Sequence, residues 1–135
     1  MQIELTTKEF RRLLDLVYIG NWILNSTRGD DRFADYDHVE SKLFGLCQGT
    51  GMQALVEKWE GEDVPSKAFA DGGIHEAIAY YEDAGFYEIL AEELSRRDMD
   101  YVDITQENYD EILGRMDQYM EEFRQSGVDH LTLED

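Results

Sequence analysis

Asp35 and His38 stand three residues apart, and Asp71 and His75 stand four apart. On a helix, either spacing brings both side chains of a pair to one face. Carboxylate–histidine pairs of this kind, joined by further carboxylates, are how diiron bundles hold metal, and Glu76, Glu82 or Asp83 would be the extra ligands here. The fit is poor. Asp stands where that pattern uses Glu, the second pair has the wrong spacing, and Asp71 falls in a glycine-rich loop. In a chain with 31 acidic residues, an acid beside His38 or His75 follows from abundance. Helix capping and surface placement are the ordinary fates of such pairs, so no metal ligand is expected.

Other patterns fail in the same way. Asp98, Asp100 and Asp103 open like a calcium loop, but the position that requires glycine is Asp103 and the position that requires glutamate is Tyr109. Cys47 is the sole cysteine. It lacks a basic neighbour and shares an apolar face with Leu43 and Phe44, which is the setting of a core thiol rather than a nucleophile. Gly49-Thr50-Gly51 has neither the lysine nor the strand–helix context of a phosphate loop and reads as a hinge. No catalytic residue and no cofactor is therefore expected.

The aromatic residues offer surface chemistry instead. Tyr80-Tyr81 and Phe86-Tyr87 are doublets, and neighbours on a helix point about 100° apart, so one of each faces inward and the other outward. Trp59, Tyr80 and Tyr87 are the expected anchors for a protein partner, because large aromatics carry most interface energy. Arg96-Arg97 is the only basic doublet beyond the first helix and sits where a helix end favours cations.

These side chains must be positioned by helices. Thr6-Thr7-Lys8-Glu9 forms a capping box, and a helix over Thr7 to Ser26 follows. Phe10, Leu13, Leu14, Val17 and Tyr18 line one face, and Leu16, Ile19 and Ile23 a second, which places this helix at the centre of a core. Asp37 to Glu40 offers a second capping box, with Leu43, Phe44 and Cys47 behind it. Met52 to Trp59 reads as a short helix and Glu60 to Gly73 as the longest loop. A helix over Ile74 to Glu82 loses phase near Asp83-Ala84-Gly85, and another opens at Phe86. Thr105 caps the last helix, on which Tyr109, Ile112, Leu113, Met116, Tyr119, Met120 and Phe123 point inward and which Gly127 ends. The expected fold is all-α: a single-domain bundle of five or six helices over residues 1–127, around the apolar N-terminal helix, with 128–135 as a loose tail.

Charge narrows the partner. Of 12 basic and 31 acidic side chains, residues 1–29 hold four and three, so the remaining 106 residues carry a net charge of −20. With 42% hydrophobic residues and 2 Trp, 8 Tyr and 6 Phe, this is the surface of a folded protein rather than an acidic disordered tail. Such a surface repels nucleic acid and anionic lipid and attracts basic proteins. The apolar run Leu13 to Leu24 is broken by Asp15 and Asn21 and has no small-x-small cleavage site after it, so it is not expected to act as a leader, and it is too short to span a bilayer. With one cysteine, a cytoplasmic setting is expected.

The segment Tyr81 to Asp98, with Phe86-Tyr87, Leu90 and Leu94-Ser95-Arg96-Arg97-Asp98, resembles a recurrent motif of short, acidic, uncharacterised bacterial proteins. Gly20-Asn21-Trp22-Ile23-Leu24-Asn25 resembles their first helix. Gly85 replaces the Thr or Ser of the motif and Tyr87 its Trp. The resemblance implies a helix start near Phe86 and a bacterial cytoplasmic setting, and it brings no activity with it.

The expected role is a non-enzymatic interaction or accessory module for a protein with a basic surface, with a homodimer left open and no nucleic acid or membrane as partner. The alternatives are a nucleic-acid mimic that occludes a DNA- or RNA-binding protein, and a carboxylate–histidine metalloprotein.

Overall fold

A computed structural model describes residues 1–134. Four long helices dominate it: α1 (Thr7–Asn25), α2 (Ala34–Gly45), α4 (His75–Asp98) and α5 (Tyr109–Ser126), with a single helical turn α3 (Lys67–Phe69) between the second and third of them. Strands β1 (Val56–Trp59) and β2 (Glu62–Pro65) pair antiparallel, Val56 opposite Pro65 and Trp59 opposite Glu62. The chain is therefore mainly helical, as expected, with four long helices and a small two-stranded sheet where five or six helices were expected. By packing, the chain forms two compact units, Met1–Ile78 and Ala79–Asp135.

The first helix begins as its capping box dictates. Thr6 Oγ1 accepts from the Glu9 backbone N–H at 3.1 Å, and the Thr6 N–H donates to Glu9 Oε1 at 3.2 Å. Only one face of α1 is buried. Leu14 is fully enclosed, whereas Leu16 and Ile23 of the other face are 69% and 65% exposed, so the helix flanks the core rather than filling its centre. Leu14, Phe44, Cys47 and Phe69 form that core, with Phe10, Tyr18, Leu43, Met52, Leu55, Val56 and Ile74 around them. Cys47 is buried, as its apolar face requires.

Three local readings are corrected in this unit. The second helix starts at Ala34, before the Asp37–Glu40 box. Asp35 and Asp37 occupy its first turn, where the helix dipole favours acids. The α-helix ends at Gly45, ahead of the expected Gly49-Thr50-Gly51 hinge, and tightens into a 3₁₀ turn over Leu46–Gly49 that stops at those glycines. Residues 56–59 form a strand instead of the end of a helix, and the expected long loop holds β2, α3 and a π-helical stretch, Ala70–Ile74. The cause is a two-residue reversal: Glu60 and Gly61 both have positive φ (50° and 83°), which fits the right-handed twist of a hairpin. Gly45 then lets α2 approach β2 closely, since a Cβ there would lie 2.7 Å from Asp63 Oδ2.

In the second unit, Ala91, Ser95, Met99, Ile112 and Phe123 are buried. α4 runs unbroken from His75 through Gly85 and Phe86 to Asp98, so the expected restart at Phe86 does not occur. One helical glycine costs less than the backbone bonds a break would lose. Asp100 and Tyr101, both left-handed (φ 55° and 56°), turn the chain. α5 begins after Asn108 rather than at Thr105. Asn108 Oδ1 accepts from the Thr105 N–H at 2.7 Å, and its amide donates to the Asp103 carbonyl at 2.9 Å. On α5, Ile112 and Phe123 are enclosed, while Tyr109 and Leu113 point outward, Leu113 being 40% exposed. Gly127 ends the helix as expected, at φ 55°. Of the tail 128–135, Asp135 lies outside the described residues.

Candidate functional site

Two clefts of the first unit share Glu40. The larger, about 400 Å³, lies between α2 and the hairpin and is lined by Asp37, His38, Glu40, Ser41, Trp59, Glu60, Glu62 and Asp63 together with Ala34 and Val64. The hairpin built by the Glu60-Gly61 turn is what brings Trp59 over this acidic wall. Two of the acids are already neutralised. Asp37 accepts from Arg32 Nε at 3.0 Å and Nη2 at 2.8 Å. Asp63 accepts from Lys58 Nζ at 2.9 Å and Gln48 Nε2 at 3.0 Å. Glu60 and Glu62 face no cation within 4 Å among the described residues, and Ser41 donates to Glu62 at 3.4 Å. The cleft thus keeps an uncompensated negative charge beside an indole that is 66% exposed.

The second cleft, about 350 Å³, is lined by Tyr18, Asn21 and Trp22 of α1, by Ser26 at its C-cap, by Arg32, by Glu40 of α2, and by Pro65 and Ala70. Positions 18, 21, 22 and 26 follow helical spacing, so one stripe of α1 and its cap supplies half of the lining. The Tyr18 hydroxyl meets His75 Nε2 at 2.6 Å. The His75 ring stands edge-on to Trp22, centroids 4.7 Å apart, and Phe69 backs Tyr18 at 5.1 Å.

Asn21 of this cleft belongs to a polar chain. Asn21 donates to Asp37 at 3.0 Å and accepts from Asn25 at 2.7 Å. Asn25, fully buried, also donates to the Phe33 carbonyl at 3.1 Å and accepts from the Phe33 N–H at 2.7 Å, which fixes the loop that delivers Arg32.

These contacts set the charges. Hydrogen bonds from Arg32, and next from Asn21, hold Asp37 below the usual carboxylate range against the cost of its partial burial. Burial pushes Glu40 up to about 7. Asn21 and Arg32 pull it down, and Asp37 adds repulsion. Burial, and then the nearby Glu40, raise the Tyr18 phenol.

The residues singled out in the sequence scatter. His38 lines the acidic cleft, but Asp35 turns back to accept from the Tyr36 N–H at 3.0 Å. Asp71 pairs with Lys67 rather than with His75, which belongs to Tyr18. Among the described residues, no group of three or more His, Cys, Asp or Glu side chains is arranged to hold a metal ion. Trp59 lies in the first unit, and Tyr80 and Tyr87 in the second. Tyr80 is 79% exposed, whereas Tyr87 is half-buried with its ring 5.4 Å from Phe123. Arg96 is bound to Glu92 at 2.9 Å and Arg97 to Asp98 at 2.9 Å, which accounts for the basic doublet locally. Asn25, Glu40 and Tyr18 were not singled out. The contacts of Asn25 with Phe33 and of Tyr18 with His75 span 8 and 57 residues, beyond the reach of a local pattern.

No protein-family model, curated protein or solved structure matches the chain. Among the described residues no helix is long and apolar enough to cross a membrane.

Proposed function

We propose that this chain is a non-enzymatic interaction module whose α2–hairpin cleft takes a basic side chain of a protein partner. The observation that carries the reading is the exposed Trp59 indole flanked by Glu60 and Glu62, which have no cation of their own. An arginine or lysine there meets an aromatic face and a carboxylate together, a pairing worth about 0.5–2 kcal/mol from the ring alone. The acidic surface adds long-range steering, which raises the encounter rate with a basic surface and disfavours nucleic acid.

Stopped-flow fluorescence with an arginine-rich peptide tests this. Association is expected to slow as salt rises, and Trp59→Ala or the double change Glu60→Gln with Glu62→Gln is expected to weaken binding about ten-fold. A salt-independent rate, unchanged binding in both variants, or direct binding of DNA or RNA at physiological salt would sink the reading.

A further inference from the structure

The second cleft has a different composition from the first, and its residues point to a different occupant. Trp22 and Tyr18 stand near-parallel, 21° apart with centroids at 6.1 Å, and form an aromatic wall. Phe69 and His75 brace that wall from behind and from the edge. Pro65 and Ala70 extend the apolar lining. The polar groups divide unequally. Arg32 spends its fork on Asp37 and donates with Nη1 to the Asn25 carbonyl at 3.2 Å, so guanidinium and carboxylate cancel. Glu40 faces no cation within 4 Å among the described residues, and it is the acid whose charge the cleft leaves over. An anion finds the fork occupied and a strongly acidic chain around it.

We propose that this cleft binds a small alkylammonium ion of the quaternary or methylated amine class, its charge against the Glu40 carboxyl and its methyl groups against Trp22 and Tyr18. Aromatic faces attract such cations through the ring quadrupole, and the methyl groups gain from leaving water. The cation also relieves Glu40 of its burial cost, so binding and ionisation of Glu40 reinforce each other. Affinity should then fall with acidification below about pH 7, by up to ten-fold per unit, as Glu40 takes up its proton. The groups that face Glu40 are Tyr18 and Asn21 of α1, Arg32 of the loop and Asp37 of α2, with Glu60, Glu62 and Asp63 across the neighbouring cleft and His75 behind Tyr18.

The test uses Trp59→Phe protein, in which Trp22 is the only tryptophan. Choline chloride is titrated against Trp22 emission at constant ionic strength, beside its uncharged carbon isostere 3,3-dimethylbutan-1-ol. Saturable quenching is expected, with choline bound about ten-fold more tightly than the isostere. By calorimetry, Glu40→Gln should weaken choline binding about ten-fold and remove its pH dependence, and Trp22→Leu should weaken it similarly. Each variant is first checked for the wild-type helical circular dichroism. The isostere comparison uses the unaltered cleft and decides the matter if a variant does not fold. Equal affinity for isostere and choline, no saturation, unchanged binding in both variants, or a pH dependence that survives Glu40→Gln would overturn the assignment.

Discussion

At the scale of the residue, Asn25 does more for the first unit than its side chain advertises. It sits in the chain as an ordinary polar residue at a helix end, yet it satisfies both backbone groups of Phe33 from a fully buried position. Asn25→Ala strands the Phe33 N–H and the Asn21 Oδ1 and takes one of two donors from the Phe33 carbonyl. The expected loss is about 2–4 kcal/mol, measured as a shift in urea midpoint, and a loss under about 0.5 kcal/mol would contradict the described network.

Glu40 makes a prediction of opposite character. Its folded pKa is raised, so its contribution to stability is fully present below the ordinary glutamate value of 4.5 and is lost as pH rises through about 7. Glu40→Gln should therefore gain stability relative to wild type between those values, by about 1–2 kcal/mol once solvent screening is allowed for. The measurement is the difference in unfolding free energy between the two proteins at about pH 4 and pH 8. No change in that difference would count against the burial of the carboxyl. Neither residue was legible in the sequence, because burial of one polar side chain among many is decided by partners distant along the chain. Cys47 was legible, because its apolar neighbours Leu43 and Phe44 are one turn away.

At the scale of the element, legibility followed how local the deciding interaction is. The Thr6–Glu9 box and the Gly127 cap each lie within a few residues, and both appear where the sequence puts them. The hairpin did not announce itself. Val56-Glu57-Lys58-Trp59 suits helix and strand spacing equally, and Glu60-Gly61 lacks the Asn-Gly or Asp-Gly signature of such turns. Leu113 failed for a related reason. It neighbours the true inward line through Ile112, Met116 and Phe123, and a pattern seven residues wide does not resolve a 100° error.

The turn gives a direct test. Gly61, at φ 83°, is strained by any side chain, so Gly61→Ala should cost about 1–2 kcal/mol. Glu60→Asn, which suits a left-handed position, should instead add about 0.5 kcal/mol. Thermal unfolding of the two variants checks both signs, and a neutral Gly61→Ala would argue against the two-residue reversal.

At the scale of the whole molecule, charge dominates. Most ion pairs among the described residues join side chains three or four apart, and those on open helix surface, such as Arg96–Glu92 and Arg115–Glu111, are each worth only about 0.3–0.5 kcal/mol. They are set against a net charge of −19. Self-repulsion should therefore outweigh pairing, and salt should stabilise the protein. Between about 0.01 M and 1 M sodium chloride the screening length falls from about 30 Å to 3 Å, and the urea midpoint is expected to rise. A midpoint that falls would mean that local pairs carry more of the stability than their exposure suggests. This property was open to reading from the sequence, since it needs only counting. The clefts were not, since each gathers residues from several elements that the chain brings together only by folding.

The buried thiol has a practical consequence. Cys47 is the sole sulfhydryl of the chain and is enclosed by Leu14, Phe44 and Phe69, with its ionisation further disfavoured by burial. A thiol reagent in solution can reach it only when α1, α2 and α3 part, so the modification rate becomes a clock for that opening. Each about 1.4 kcal/mol of opening free energy slows the reaction about ten-fold. The clock is blind to residues 79–135, which contain no cysteine. If labelling is faster than the global unfolding followed by circular dichroism allows, the core around Cys47 breathes on its own. If the two agree, the whole chain melts in one step, and a single reagent in a spectrophotometer will have measured its cooperativity.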